Sequence, residues 1–134
     1  MRIGADYYPE HWEKERWKTD AEMMVKANIK VIRIGEFAWS LYEPEEGKYE
    51  FDWMDEALDF FGKYGIKVVM CTPSATPPKW MIDKYPDILQ NDIHGNPKLF
   101  GTRKHYCFNS ETYREKTKKL NTLIAKRYAK PVTY

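Results

Sequence analysis

Two carboxylates, Asp6 and Glu36, and two arginines, Arg33 and Arg103, lie in or beside loops dense in aromatic residues. A carboxylate pair is what glycoside hydrolysis needs, one group protonating the leaving oxygen while the other attacks or activates water. A guanidinium adds a planar fork that stays charged and can donate to two neighbouring hydroxyls. The surrounding Trp, Tyr and Phe rings offer flat apolar faces, and no glycine-rich phosphate cradle accompanies them, so a sugar suits this composition better than a nucleotide. Each residue also has a plainer reading. An acid at a strand end can cap a helix or hold a support, Arg33 can serve as partner to Glu36 or Asp6, and Arg103 can be a surface cation. The stretch "FGTRKHYCFNS", residues 100–110, adds His105 and Cys107. His105, like His11, reads as a local hydrogen-bonding residue. A lone H-x-C has no recognised metal-ligand spacing, which leaves Cys107 as a small buried hydrophobe on its own terms. Cys71, inside an apolar run, reads as core, and Trp39 and Trp80 read either as pocket paving or as packing.

These residues depend on a repeated unit for their placement. "KANIKVIRIG" from residue 26 and "KYGIKVVMCT" from residue 63 match over Lys, two residues, then Ile-Lys-Val, 37 residues apart. Asn28 and Gly65 occupy the same place in both, and these types tolerate the left-handed conformation that closes a helix. Before each copy the spacing predicts a helix. Residues 53–64 carry Met54, Ala57, Leu58 and Phe61 on one stripe, and residues 12–27 carry Trp17, Ala21 and Met24 on a weaker one. After each helix comes a β-branched strand, "KVIRI" or "IKVVMCT", the second apolar enough for a sheet covered on both faces. "RIGAD", residues 2–6, is a shorter strand ahead of them. Ser110 is a good N-cap for a last helix bearing Tyr113, Leu120, Ile124 and Tyr128, with Pro131 as its stop and "PVTY" as the start of a fourth strand.

Strict alternation of strand and helix predicts a parallel α/β sheet with right-handed crossovers. Strands starting near residues 2, 30 and 66 match the spacing of a (β/α)8 TIM barrel, whose roughly 250 residues divide into units of about 31. About three such units are present in residues 1–134, less than half a closed barrel. A Rossmann-like sheet lacks support, because "GADYYPEHW" carries no G-x-G-x-x-G. In parallel α/β folds the ligand sits beyond the strand carboxyl ends, which here means "DYYPEHW", "GEFAWSLYEPEEG" and the long stretch 73–109.

With 134 residues, 43% hydrophobic and 16% aromatic, the chain supports a globular core. A net charge of +2 without a like-charged block gives no reason to expect nucleic acid or an anionic membrane surface. No apolar run reaches the roughly 18 residues of a membrane span and the start lacks a secretory apolar stretch, so a cytoplasmic location is expected. Two cysteines make no disulfide framework.

The segments "DYYPEHW", "RIGEFAWSLYEPEEGKYEFDW", "TPSATPPKW" and "GTRKHYCFNS" resemble the amino-terminal part of glycoside hydrolase family 42, the bacterial β-galactosidases, and the resemblance runs from Met1 to about Pro131. It implies a retaining β-galactosidase on an eight-stranded barrel, trimeric and cytoplasmic in its full-length form, acting on β-galactosides. It also implies that both catalytic glutamates lie on the fourth and seventh strands, so no catalytic residue is expected among these 134. Arg103 matches the arginine that hydrogen-bonds galactose. Arg33 stands where related barrel glycosidases support their nucleophilic carboxylate; Glu36, by its place just after the second strand, is a further candidate to bind the substrate. Cys107 matches one of four cysteines that hold structural zinc in some members, the other three lying outside this chain; Phe108 replaces the proline common after it. The alternative to an enzyme piece is a non-catalytic carbohydrate-binding or assembly module that joins another polypeptide.

Overall fold

A computed structural model describes residues 3–102 and 104–129 of the chain. In chain order these form β1 (Ile3–Asp6), α1 (Lys14–Lys26), β2 (Ile29–Ile34), α2 (Trp39–Tyr42), α3 (Asp52–Lys63), β3 (Lys67–Met70), α4 (Lys79–Lys84) and α5 (Glu111–Tyr128), with three 3-10 turns, each opening on a proline. The sheet is parallel, in the order β1-β2-β3. Asn28 (φ 58°) and Gly65 (φ 69°) do take the left-handed conformation at the ends of α1 and α3. That turn lets each helix fold back at once into its following strand, which is why the repeat is so compact.

The sheet register explains which strand residues meet the helices. Ala5, Ile32 and Val68 lie side by side, as do Asp6, Arg33 and Val69 one step on. Because side chains alternate faces, Ile32 and Ile34 point to the helical side and are fully buried there. Trp17, Ala21 and Met24 of α1 and Met54, Ala57 and Phe61 of α3 close over them. Phe61 anchors this layer, its ring 5.3 Å from Tyr7 and 6.0 Å from Trp17. The expected stripe of α5 is also present: Tyr113, Leu120 and Ile124 are buried, and Ser110 caps the helix by accepting from the Tyr113 N–H. The helix ends at Tyr128, and Pro131 and "PVTY" lie outside the described residues.

Three expectations need correction. The sheet is covered on one face only, and Val69 on the other is 52% exposed. A barrel's inner face is closed by strands from across the cylinder, and three adjacent strands cannot reach around to do so. Cys71, expected in the core, sits one residue beyond β3 and is half-buried. The span 73–109, read as one loop, contains α4 and a short antiparallel ladder in which Leu89 bridges Tyr106 and Asn91 bridges Pro97. Among the described residues no helix is long and apolar enough to cross a membrane.

Two acidic residues tie the loops after β2 to the rest. Glu43 is buried and accepts from the Trp39 indole (3.0 Å) and the Gly47 N–H (2.9 Å), while its carbonyl accepts from Trp80 of α4 (2.8 Å). Glu46 binds the ammonium groups of Lys84 and Lys116 and accepts from the Tyr85 hydroxyl, joining α4 to α5. Lys116 first, then Lys84, pull the Glu46 carboxyl from its ordinary 4.5 to about 2. Its folded value is the lower one, so its stabilisation is complete above about 4.5 and disappears as the pH falls toward about 2. In melting curves recorded down that window, Glu46→Gln is expected to show a shallower loss of stability than the parent; parallel curves would show that the two lysines do not select the ionised form.

Candidate functional site

The carboxyl ends of the three strands bring together the loops that the sequence marked. β2 carries Arg33 on the open face and ends at Ile34, so that Gly35 turns and Glu36 stands at the rim. The Arg33 guanidinium donates to Glu36 Oε2 at 2.5 Å and reaches Asp6 Oδ1 at 3.5 Å, a bridge between the ends of β1 and β2. Asp6 and Glu36 thus meet one cation. The Glu36 bond is the first cause that raises the pKa of Arg33, with Asp6 contributing less. The plain partner role foreseen for Arg33 is what the geometry has, and it also fixes the direction of the Glu36 carboxylate.

Glu36 lines a cleft of about 570 Å³. Its walls are Phe37 and Ser40 after β2, Ala75 to Lys79 after β3, and Phe100, Gly101, Thr102, Lys104, His105 and Tyr106 from the long loop. The lining combines ring faces and prolines with a carboxylate, hydroxyls and ammonium groups, a mixture chemically suited to a polyhydroxylated ligand. Tyr8 stacks on Phe37 at 5.6 Å, extending the aromatic wall toward β1. Burial first, then the nearby carboxylates of Glu36 and Asp6, push the Tyr8 phenol up. Burial also raises the Cys71 thiol, opposed by the positive charge of Arg33, which places that thiol close to the same bridge.

Arg103 lies outside the described residues, although Thr102 and Lys104 on either side of it line the cleft. Trp39 and Trp80 do not line it. Both are packing residues whose indoles are spent on Glu43. The residues that the sequence reading missed are Ser40, Thr76, Lys79, Thr102 and Lys104. The only signal for them was position, directly after a strand or beside Arg103.

Cys107 is half-buried in the ladder, its N–H on the Ile88 carbonyl at 2.7 Å and its own carbonyl receiving the Ser110 N–H at 3.2 Å. Among the described residues no group of three His, Cys, Asp or Glu is placed to hold a metal. One thiolate is a quarter of a tetrahedral zinc site, so these residues do not make one by themselves.

Parallel βα units with a cleft at the strand carboxyl ends define part of a TIM barrel. The glycoside hydrolase 42 profile, described as beta-galactosidase, matches residues 6–133. The chain belongs to this family. It is 54% identical over 126 residues to a β-galactosidase of Thermus thermophilus and 49% identical over 129 to one of Haloferax lucentense, covering 94% and 96% of this chain. It spans about a fifth of the length of either relative, 20% in each case. Among solved structures it superposes with a TM-score of 0.91 on the β-galactosidase of the Antarctic haloarchaeon Halorubrum lacusprofundi, at 46% identity, covering 96% of this chain and 19% of that one. The β-galactosidase of Bacillus circulans sp. alkalophilus gives 0.94 at 35% identity, covering 98% and 20%. A GH10 endoxylanase, at 16% identity and a TM-score of 0.56, shares the fold alone.

Proposed function

We propose that these residues form the first part of the sugar site of a β-galactosidase, a retaining glycoside hydrolase that releases terminal non-reducing β-D-galactose from β-galactosides. The observation that carries this reading is the cleft at the strand ends that Glu36 lines while Arg33, outside the lining, holds one of its oxygens. With one oxygen engaged by the guanidinium, the Glu36 carboxylate serves as an acceptor for sugar hydroxyls rather than as the proton donor. Arg103 donates its fork to galactose. The carboxyl groups that protonate the leaving oxygen and attack the anomeric carbon come from polypeptide outside these 134 residues, and retention requires those two to stand about 5 Å apart. A cytoplasmic homotrimer is the expected setting of the longer protein. Cys107 supplies one thiolate to a structural zinc whose remaining ligands also come from outside.

Titration of the isolated chain with galactose, followed by amide chemical shifts, tests the site. Shifts should concentrate at Glu36, Thr76, Thr102 and Lys104, and Arg103→Ala should weaken binding by about tenfold, the worth of one charge-assisted hydrogen bond pair. No response to galactose would overturn the role of the cleft. Turnover of a chromogenic β-galactoside by the chain, abolished in Glu36→Gln, would overturn the assignment of the reacting carboxylates to outside polypeptide.

A second reading, a module that binds or assembles without catalysing, draws on the open sheet face, where Val69 is 52% exposed, and on Ile3, 48% exposed on β1. Such a surface favours association. A monodisperse monomer with cooperative unfolding would count against it.

A further inference from the structure

We propose that His105 is a positioning residue that holds the long-loop wall of the cleft, acting through its Nδ1–H on the Thr102 carbonyl. This rests on the sugar-site reading of that cleft. The ring is 4% exposed, and Nδ1 lies 2.8 Å from the Thr102 oxygen. A carbonyl can only accept, so the contact requires the proton on Nδ1, and in the neutral ring Nε2 is then an acceptor. Nε2 is buried and has no hydrogen-bond partner among the described residues. One nitrogen is therefore committed and the other idle, so what the imidazole adds over a phenyl ring at this place is the single bond to Thr102.

That bond joins two parts of the loop that are otherwise built separately. On the backbone side, the His105 carbonyl accepts from Gln90 N–H at 2.7 Å, and Gln90 in turn accepts from Lys98 N–H at 2.8 Å, which seats residue 105 in the antiparallel ladder. On the cleft side, Thr102 folds onto Leu99, whose carbonyl receives both its N–H (3.2 Å) and its hydroxyl (2.7 Å). Gly101 (φ 89°) and Lys104 (φ 56°) are both left-handed, a backbone that needs support when one of the two is not glycine. The Phe100 ring rests edge-on against the imidazole at 5.7 Å. His105 thus links the ladder to Phe100 and Thr102, both of which face the cleft, while its idle Nε2 is itself buried.

Three substitutions separate this role from simple core filling. Asparagine places its amide nitrogen where Nδ1 was, glutamine reaches instead toward Nε2, and phenylalanine keeps a ring with no donor. In the isolated chain, long-range nitrogen–proton spectra should show Nδ1 protonated and Nε2 bare. Amide relaxation at Thr102 and Lys104 should be as rigid in His105→Asn as in the parent, and should loosen in His105→Gln and His105→Phe. Galactose affinity should follow the same division, falling by about tenfold where the bond is lost. A proton on Nε2, or an asparagine variant as loose as the glutamine one, would overturn the proposal, and both remain measurable if the phenylalanine variant does not fold. If Thr102 and Lys104 behave as expected while no variant and no parent responds to galactose, the positioning role stands and the sugar reading of the cleft falls.

Discussion

Replacing Glu43 by leucine is expected to cost about 3 kcal/mol of unfolding free energy, although the two side chains are similar in bulk. The carboxylate is 2% exposed and receives two donors, the Trp39 indole N–H and the Gly47 amide. Leucine removes the acceptor and leaves the Trp39 indole, in a fully buried residue, without a partner at its full desolvation cost, while the Gly47 amide belongs to an exposed residue and can turn to water. Glutamine separates the contributions. Its amide oxygen satisfies one donor while its NH2 faces the other, so roughly half the loss should remain. Denaturant melts at constant slope give the comparison directly; a leucine variant as stable as the parent would mean that water reaches the Trp39 indole as well. The consequence extends to the cleft, because Trp80 hangs from the Glu43 carbonyl and α4 begins at Lys79, in the cleft wall.

The elements were legible where a periodic pattern coincided with a turn residue. Trp17, Ala21 and Met24, or Met54, Ala57 and Phe61, announce a buried helix face at 3.6-residue spacing, and Asn28 and Gly65 mark where each must stop. Parallel order followed from alternation alone. What could not be read was structure held by non-local polar contacts. Glu43 and Glu46 lie in one charged stretch, "EPEEG", with nothing in the string to say that one is buried beneath two indoles and the other grips lysines 38 and 70 residues away. Cys71 was misplaced because an apolar run gives no sign of where a strand of a partly open sheet ends. At the cleft, the place of Glu36 on the rim and its pairing with Arg33 were legible from their positions at a strand end. Ser40, Thr76 and Lys104 were not, since an ordinary polar residue in a loop becomes a site residue only when the fold curls that loop over the strand ends.

Gly35 joins the fold to the site most directly, and Gly35→Ala is expected to damage both. Its φ of 83° belongs to the left-handed region, where a Cβ costs about 1 kcal/mol or somewhat more. The added methyl would also stand 3.1 Å from Met54 Cε and 3.4 Å from the Tyr42 hydroxyl. Met54 is flexible at that end and can yield, but Tyr42 is fully buried, so the total loss should be about 2 kcal/mol. Gly65→Ala is the matched control, equally left-handed at φ 69° but with nothing within 4 Å of the new carbon. It should cost about 1 kcal/mol, leaving the difference as the packing contribution. The easiest relief for Gly35→Ala is rotation of the peptide that leads into Glu36, which would carry that carboxylate away from the Arg33 guanidinium. Galactose-induced shifts at Glu36 should therefore weaken in Gly35→Ala and persist in Gly65→Ala. Equal stability losses in the two variants would remove the packing argument, and an undiminished response at Glu36 would mean that the turn at Gly35 does not set the direction of the acid.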